Sequence, residues 1–211
     1  MTRTGDYNFS VVIVAHDLSD TLERNLPHFL TVAGKAHGEV IVVDDASTDD
    51  TPDVLKRYKA ENEHLYSTFL PQAVRNTSNI RLAMNIGAKA ALSKRIVFAD
   101  ITRPPLCDEW LTGFANGEVT AVYSRLKHGQ PQVTHQLFDD LQEATPYVLK
   151  AECNGGLGHR GRIFRFRRGL YDAIAVNKDQ STDIIKLFDH HYSAMKRFRM
   201  CLKIFIKNMF A

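Results

Sequence analysis

The stretch Val40-Ile41-Val42-Val43-Asp44-Asp45-Ala46-Ser47-Thr48-Asp49-Asp50-Thr51-Pro52 concentrates the chain's reactive groups: two adjacent carboxylates end an unbroken apolar run and open a polar turn. Carboxylates such as Asp44 and Asp45 accept hydrogen bonds from ribose hydroxyls or from the imide N–H of a uracil-like base. The same residues have a plainer reading, in which Asp45, Ser47 and Asp49 serve the turn and cap the next helix. A third carboxylate, Asp100, ends the short apolar run Arg95 to Ala99. His16 follows the run Phe9 to Ala15, where it is placed to touch a base. Further along, Arg160, Arg162, Arg165, Arg167 and Arg168 crowd one segment. Their planar forks suit phosphate oxygens, or else form a solvated basic face.

These groups need a scaffold that brings them to one place. β-Branched runs without alternation are expected where helices cover both faces of a parallel sheet, and ligands of such sheets bind beyond the carboxyl ends of the strands. Phe9 to Ala15 is then a first strand. Asp20-Thr21-Leu22-Glu23 resembles a capping box opening a helix with Leu22, Leu26, Phe29, Leu30 and Ala33 on one face. Val40 to Val43 is the second strand, after which Thr51 caps a helix that begins at Pro52 and carries Asp53 in its first turn. Leu65 to Leu70 is a third strand. Asn79 to Leu92 is helical, with Ile80, Ala83, Gly87, Ala90 and Ala91 forming a small-residue face that admits close approach to the sheet. Arg95 to Ala99 is a fourth strand. The β-α-β-α-β-α-β order predicts an α/β fold: a single domain with a Rossmann-like, mostly parallel sheet flanked by helices. In the second half Val119 to Tyr123 reads as a strand, Phe138 to Glu143 as a short helical piece, Arg162 to Phe166 as a strand and Thr182 to Arg199 as a helix. Trp110 reads as core ahead of a sugar platform.

A chain of 211 residues, 44% hydrophobic and 24% charged, can bury a core without staples. Cys107, Cys153 and Cys201 are too scattered for a disulfide framework or a zinc site, which fits a reducing cytosol. No stretch approaches the ~20 apolar residues that span a bilayer, and the N-terminus does not read as a signal peptide. The final segment 192–211 carries Lys196, Arg197, Arg199, Lys203 and Lys207 with no acid, interleaved with apolar residues. It suits an anionic membrane surface or a partner, or equally a packed terminal helix with a basic outer face. The expected location is cytoplasmic, peripheral to the inner face of the membrane. Nucleic-acid binding is disfavoured by composition and aromatic spacing, a nicotinamide site by the lack of G-x-G-x-x-G after the first strand, and a P-loop by the spacing around Gly155-Gly156-Leu157-Gly158.

Taken in order, Ser10-Val11-Val12-Ile13-Val14-Ala15-His16-Asp17, then Val43-Asp44-Asp45-Ala46-Ser47, then Ala83-Met84-Asn85-Ile86-Gly87, then Ile96-Val97-Phe98-Ala99-Asp100 resemble the family-2 glycosyltransferases. The resemblance implies the A-type nucleotide-sugar-binding fold, with a nucleotide-sugar-binding half over 1–102 and an acceptor-side half over 103–191, followed by the basic amphipathic helix read from the charge pattern of 192–211. It implies that Val14, Ala15, His16, Asp17, Asp44 and Asp45 hold the nucleoside of a nucleoside diphosphate sugar, and that Asp100 approaches the diphosphate and a divalent cation, Mg or Mn. Two departures bear on this. The second acid of the family's Asp-x-Asp is Thr102, which weakens the metal site, and Met84 stands where an arginine is usual. Arg81, about one helical turn earlier, is a candidate replacement cation. Gly161 to Arg168 followed by Thr182-Asp183-Ile184-Ile185 resembles the family's acceptor-side strand and Glu-Asp helix start. Asp183 would then take the acceptor's proton, and the anomeric centre would invert.

The expected function is an inverting transfer of a sugar from a nucleoside diphosphate to a hydroxyl of a polysaccharide or glycolipid acceptor. The alternative is a catalytically silent relative acting as a binding or assembly module, which the departures at Met84, Thr102 and Thr182 motivate.

Overall fold

The computed structural model describes residues 5–70, 80–114, 119–138 and 172–187. In chain order these form β1 (Phe9–Ala15), α1 (Ser19–Lys35), β2 (Gly38–Asp45), α2 (Thr51–Glu61), β3 (Leu65–Leu70), α3 (Ile80–Ala90), β4 (Arg95–Ala99), α4 (Glu109–Thr112), β5 (Val119–Lys127), β6 (Gln130–Phe138), β7 (Ala173–Asn177) and α5 (Ser181–Leu187). The strands make one seven-stranded sheet in the order β3-β2-β1-β4-β7-β5-β6. The first four strands are parallel. Beyond β4 the pairing turns antiparallel at β7, β5 and β6. The α/β architecture with flanking helices is thus as expected, and the sheet is mixed around a parallel core.

Both faces of the core are dry. Successive strand residues point to opposite faces, so Val12, Val14, Ile41, Val43, Ile96 and Phe98 pack against α3 and Ile185 of α5. Val11, Ile13, Val40, Val42, Val97 and Ala99 pack against α1, α2 and α4. Trp110 is fully buried and meets Phe29 edge-on at 5.7 Å, which makes it core and not a sugar platform.

The second half corrects several expectations. Phe138 ends strand β6 and does not begin a helix. β5 runs on to Lys127 and is joined to β6 through His128 and Gly129, both with positive φ (51° and 77°), as a tight hairpin requires. β7 was not foreseen, and α5 is described only from Ser181 to Leu187. The expected strand at Arg162 to Phe166 and the basic segment 192–211 lie outside the described residues.

Gly87 sets how closely α3 lies on the sheet. A Cβ there would stand 2.4 Å from Val12 Cγ1 and 3.3 Å from Val43 Cγ2. Overpacking of this kind costs about 1–3 kcal/mol, against a helix-propensity gain of about 1 kcal/mol for alanine over glycine. Gly87→Ala is therefore expected to lower the midpoint of urea unfolding. A midpoint at or above that of the parent would show that α3 sits more loosely than the contact implies.

Candidate functional site

The register brings the foreseen acids to one edge. Ala15 pairs with Asp44 across β1 and β2, and Ile13 pairs with Ala99 across β1 and β4, so Asp100 stands one step on, beside Val14. Asp44 and Asp100 therefore flank the tip of β1 from either side, about 10 Å apart at strand spacings of ~4.8 Å. Beyond β2 and β3 lies an open cavity of about 400 Å³, lined by Asp44, Ala46, Ser47, Pro52, Leu55 and residues 67–70. That volume falls in the range of small-molecule sites. Adjacent strand residues face opposite ways, and only Asp44 of the acid pair lines this cavity. Asp44 is buried, and its Oδ1 accepts the Ser47 N–H at 3.0 Å.

Asp17, Asp49 and Thr51 tie the two acidic turns together. Asp17 adopts a positive φ of 50°, and its Oδ1 accepts from Thr48 N at 2.7 Å, Thr48 Oγ1 at 3.2 Å and Asp49 N at 3.4 Å. The Thr48 N–H leads in holding this carboxyl below its usual range. Thr51 Oγ1 accepts from Leu18 N and Asp49 Oδ2 from Ser19 N, so the first amides of α1 are capped from the following turn. The expected capping box at Asp20 is not used: no side chain at the helix's own start makes a cap bond. Thr51 is likewise not a cap but the first residue of α2, with its N–H bound by Asp49 Oδ1. Burial pushes Asp49 up, yet hydrogen bonds from Thr51 and Ser19 outweigh it and hold the carboxyl at about 2. His16 Nδ1 lies 2.6 Å from the Asp45 carbonyl, which can only accept, so Nδ1 carries a proton; Nε2 is 3.5 Å from Asp17 Oδ2. The chain around Val14 to Asp17 is thereby fixed against the β2 turn.

The third acid has a different setting. Asp100 is 4% exposed; its Oδ1 accepts from Thr102 N at 2.9 Å and Thr102 Oγ1 at 2.8 Å. Thr102, in the position of the family's second acid, thus closes onto the first. Asp100 Oδ2 is buried and has no hydrogen-bond partner among the described residues. Burial pushes this carboxyl up to about 6 despite the Thr102 bonds. Alongside stands an acid that the sequence did not disclose: Asp172, whose backbone O accepts the Asp100 N–H at 3.3 Å. Asp172 Oδ2 accepts from Ser124 N at 2.7 Å and from Ser124 Oγ, and Oδ1 accepts from Arg103 Nη1 at 3.1 Å. Burial raises its carboxyl as well.

A divalent cation wants several oxygen ligands, with carboxylates leading. Among the described residues no three His, Cys, Asp or Glu side chains gather to hold a metal. The tip of β4 offers one unclaimed oxygen of Asp100, next to an acid already neutralised by a guanidinium. These residues do not fit a cation held by the protein, and the expected metal role of Asp100 finds no donor set here.

Other expected site residues are dispersed. β7 runs antiparallel to β4, pairing Asn177 with Arg95, so the chain leaves β7 at the edge where β4 begins. Asp183, exposed in the first turn of α5, therefore lies at the opposite edge from Asp44 and Asp100 and is not brought to the cleft. This corrects its assignment as the base. Met84 is fully buried in the α3 face of the core. Arg81 belongs to the first turn of α3 by its backbone, and its side chain is outside the description, as are Arg160 to Arg168.

Residues 10–101 match the family profile of glycosyl transferase family 2. A relative from Bacillus subtilis (strain 168), named as the teichuronic acid biosynthesis glycosyltransferase TuaG, is 29% identical over 91 residues, which are 43% of this chain and 34% of the relative. The match thus spans about a third of that protein. Among solved structures, the mannosyltransferase PcManGT from Pyrobaculum calidifontis, in complex with GDP-Man and Mn2+, is 18% identical with a TM-score of 0.47, covering 80% of this chain and 50% of its own. Glucosyl-3-phosphoglycerate synthase from Mycobacterium tuberculosis, in complex with UDP, is 19% identical with a TM-score of 0.46, covering 82% and 57%. Likenesses of that size leave substrate and metal to be argued from this chain's own residues.

The burial of Asp100 has a consequence for stability. Its carboxyl titrates near 3.8 when unfolded and about 6 when folded. Between those values the folded state binds the extra proton, so stability falls as pH rises through the window and levels off above it. A shift of about two units corresponds to ~3 kcal/mol. Asp100→Asn lacks this titration, so its stability relative to the parent should improve by up to ~3 kcal/mol from pH 4 to pH 7 in urea unfolding. Parallel curves for the two proteins would show that Asp100 is better solvated than its burial implies.

Proposed function

We propose, from the match of residues 10–101 to glycosyl transferase family 2, that the protein binds a nucleoside diphosphate sugar across the carboxyl edge of β3-β2-β1-β4 and transfers the sugar to a hydroxyl of a polysaccharide or glycolipid acceptor. One observation carries the reading: Asp44, the β1 tip and Asp100 share an edge that opens beside a cavity of about 400 Å³. The nucleoside occupies the cavity, with Asp44 accepting from the base or ribose. The sugar and diphosphate extend toward β4. In the transfer, the bond from the anomeric carbon to the diphosphate oxygen breaks and its electron pair leaves with the nucleoside diphosphate. The acceptor oxygen bonds to that carbon from the opposite face, with inversion, and its proton passes to solvent. The name of the Bacillus subtilis relative, which assigns it to teichuronic acid biosynthesis, supports a polysaccharide acceptor.

A second reading, a silent binding module of the same family, is favoured by the far-edge position of Asp183 and by Thr102 closing onto Asp100. Both readings require donor binding, and only the first requires release of sugar or its transfer. We also propose that the segment 192–211 docks on the anionic inner face of the membrane; removing it should then abolish sedimentation with anionic vesicles, and unchanged sedimentation would refute the docking.

Calorimetric titration with uridine, guanosine and thymidine diphosphates tests the shared premise. One of them should bind, and Asp44→Asn should weaken it by about tenfold or more, since a hydrogen bond to a charged group is worth ~1.5–3 kcal/mol. The asparagine oxygen can still accept from Ser47 N, so the turn survives. No binding by any of the three would sink both readings; binding without release of the sugar from any nucleotide sugar, with or without acceptor, would leave the silent module.

A further inference from the structure

The tip of β4, which would receive a doubly charged diphosphate, carries two acids, Asp100 and Asp172, and among the described side chains Arg103 is a cation held beside them. Arg103 lies three residues after Asp100 and closes the turn there, its N–H donating to the Asp100 carbonyl at 3.0 Å. Its side chain is 17% exposed, and that of Asp172 is 4% exposed. Nη1 is held by Asp172, which is itself held by Ser124 N and Ser124 Oγ. Only that nitrogen of the guanidinium is bonded among the described residues. An arginine fork has five N–H donors, so its remaining donors are available to a planar or tetrahedral oxyanion. Anchoring by a buried acid removes much of the side-chain freedom that binding would otherwise cost. The distance also fits. The cavity lies at the ends of β2 and β3 and Arg103 follows β4, about 10–14 Å away at ~4.8 Å per strand, which is the reach of a ribose and two phosphates.

We propose that Arg103 binds the diphosphate of the donor at the tip of β4, in the role for which the residues around Asp100 do not fit a metal, and that Asp172 is the residue that positions it. The inference rests on the donor-binding reading above. It makes diphosphate recognition independent of divalent cation. Asp172 lowers the local positive charge but fixes the direction of the fork, and the buried acid touches no ligand itself.

The test compares uridine, guanosine and thymidine each with its own diphosphate, by calorimetry on the full chain in EDTA. The parent should bind the preferred diphosphate at least tenfold more tightly than its nucleoside, and manganese should change this by less than threefold. Arg103→Gln should bring the diphosphate down to the level of the nucleoside while nucleoside binding stays unchanged, which a general structural defect would not do. Asp172→Asn, which keeps acceptors for Ser124 but frees the guanidinium, should lose part of the diphosphate gain with the nucleoside again unchanged. If Arg103→Gln does not fold, Arg103→Lys keeps the charge without the fork and should weaken the diphosphate at least threefold. Diphosphate binding equal to the parent in the folded variant, or a parent whose diphosphate gain needs manganese, overturns the proposal while the donor-binding reading stands. A parent that binds neither nucleosides nor diphosphates overturns both.

Discussion

Parallel pairing of β1 to β4 is the constraint on which the rest depends, because it sends four chain exits to one edge and four entries to the other. Each exit is a loop with backbone groups that the sheet cannot satisfy. Here the exits satisfy each other. Asp17 accepts from the turn after β2, and Asp49 and Thr51 accept from the first amides of α1, so two loops about 30 residues apart in sequence set as one unit. Asp44 is part of the same arrangement through Ser47 N. The consequence is a preorganised rim: the tip of β1 is held before any ligand arrives, and the cavity beside Asp44 has one fixed wall.

That rim is acidic, and its intended guest by the proposed reading is an anion. Like charges at such spacing repel unless a cation intervenes. The chain answers this in two ways that differ by position. Near β2, the carboxylates of Asp17 and Asp49 are held by backbone N–H groups and by the Thr48 and Thr51 side chains, which spreads their charge and holds them ionised. Near β4, Asp172 is paired with Arg103 and Asp100 is buried, which weakens its hold on its own charge. The field around the tip of β4 is therefore less negative than a count of acids suggests.

The first half was legible because its signals are local and strong. Apolar β-branched runs gave β1, β2 and β4, and the small face around Gly87 marked a helix lying close on the sheet. What failed was whatever depends on distant partners. The start of α1 is capped from the next turn, so a local capping box misled. β6 is an edge strand, largely exposed and carrying Pro131, and lacks the alternation that identifies a half-buried strand. Asp183 was misplaced because residue types at a helix start say nothing about the direction of the strand before it, and the antiparallel β7 carries that helix to the far edge. Arg103 was in plain view after Asp100, but its partner Asp172 lies 69 residues away with no local motif.

The two edges also differ in how they treat buried polarity. At the entry edge Glu39 is wholly buried, and its Oε1 accepts from Ser10 Oγ at 2.5 Å and Leu92 N at 2.7 Å, while Ser93 N reaches Ser10 Oγ at 3.0 Å. This network ties the end of α3 to the starts of β1 and β2. At the exit edge Asp100 keeps a buried oxygen without a partner among the described residues. The indole N–H of Trp110 shares that state deep in the core, but it is neutral and so far less costly. Leaving a buried acceptor unsatisfied costs about 1–3 kcal/mol, and more when it is charged. By the proposed reading, the carboxylate left unsatisfied at the exit edge, unlike the one closed at the entry edge, stands where a ligand's hydroxyls would satisfy it. Sugar hydroxyls are donors of the kind that oxygen lacks, and the tip of β4 is where the proposed donor would bring them.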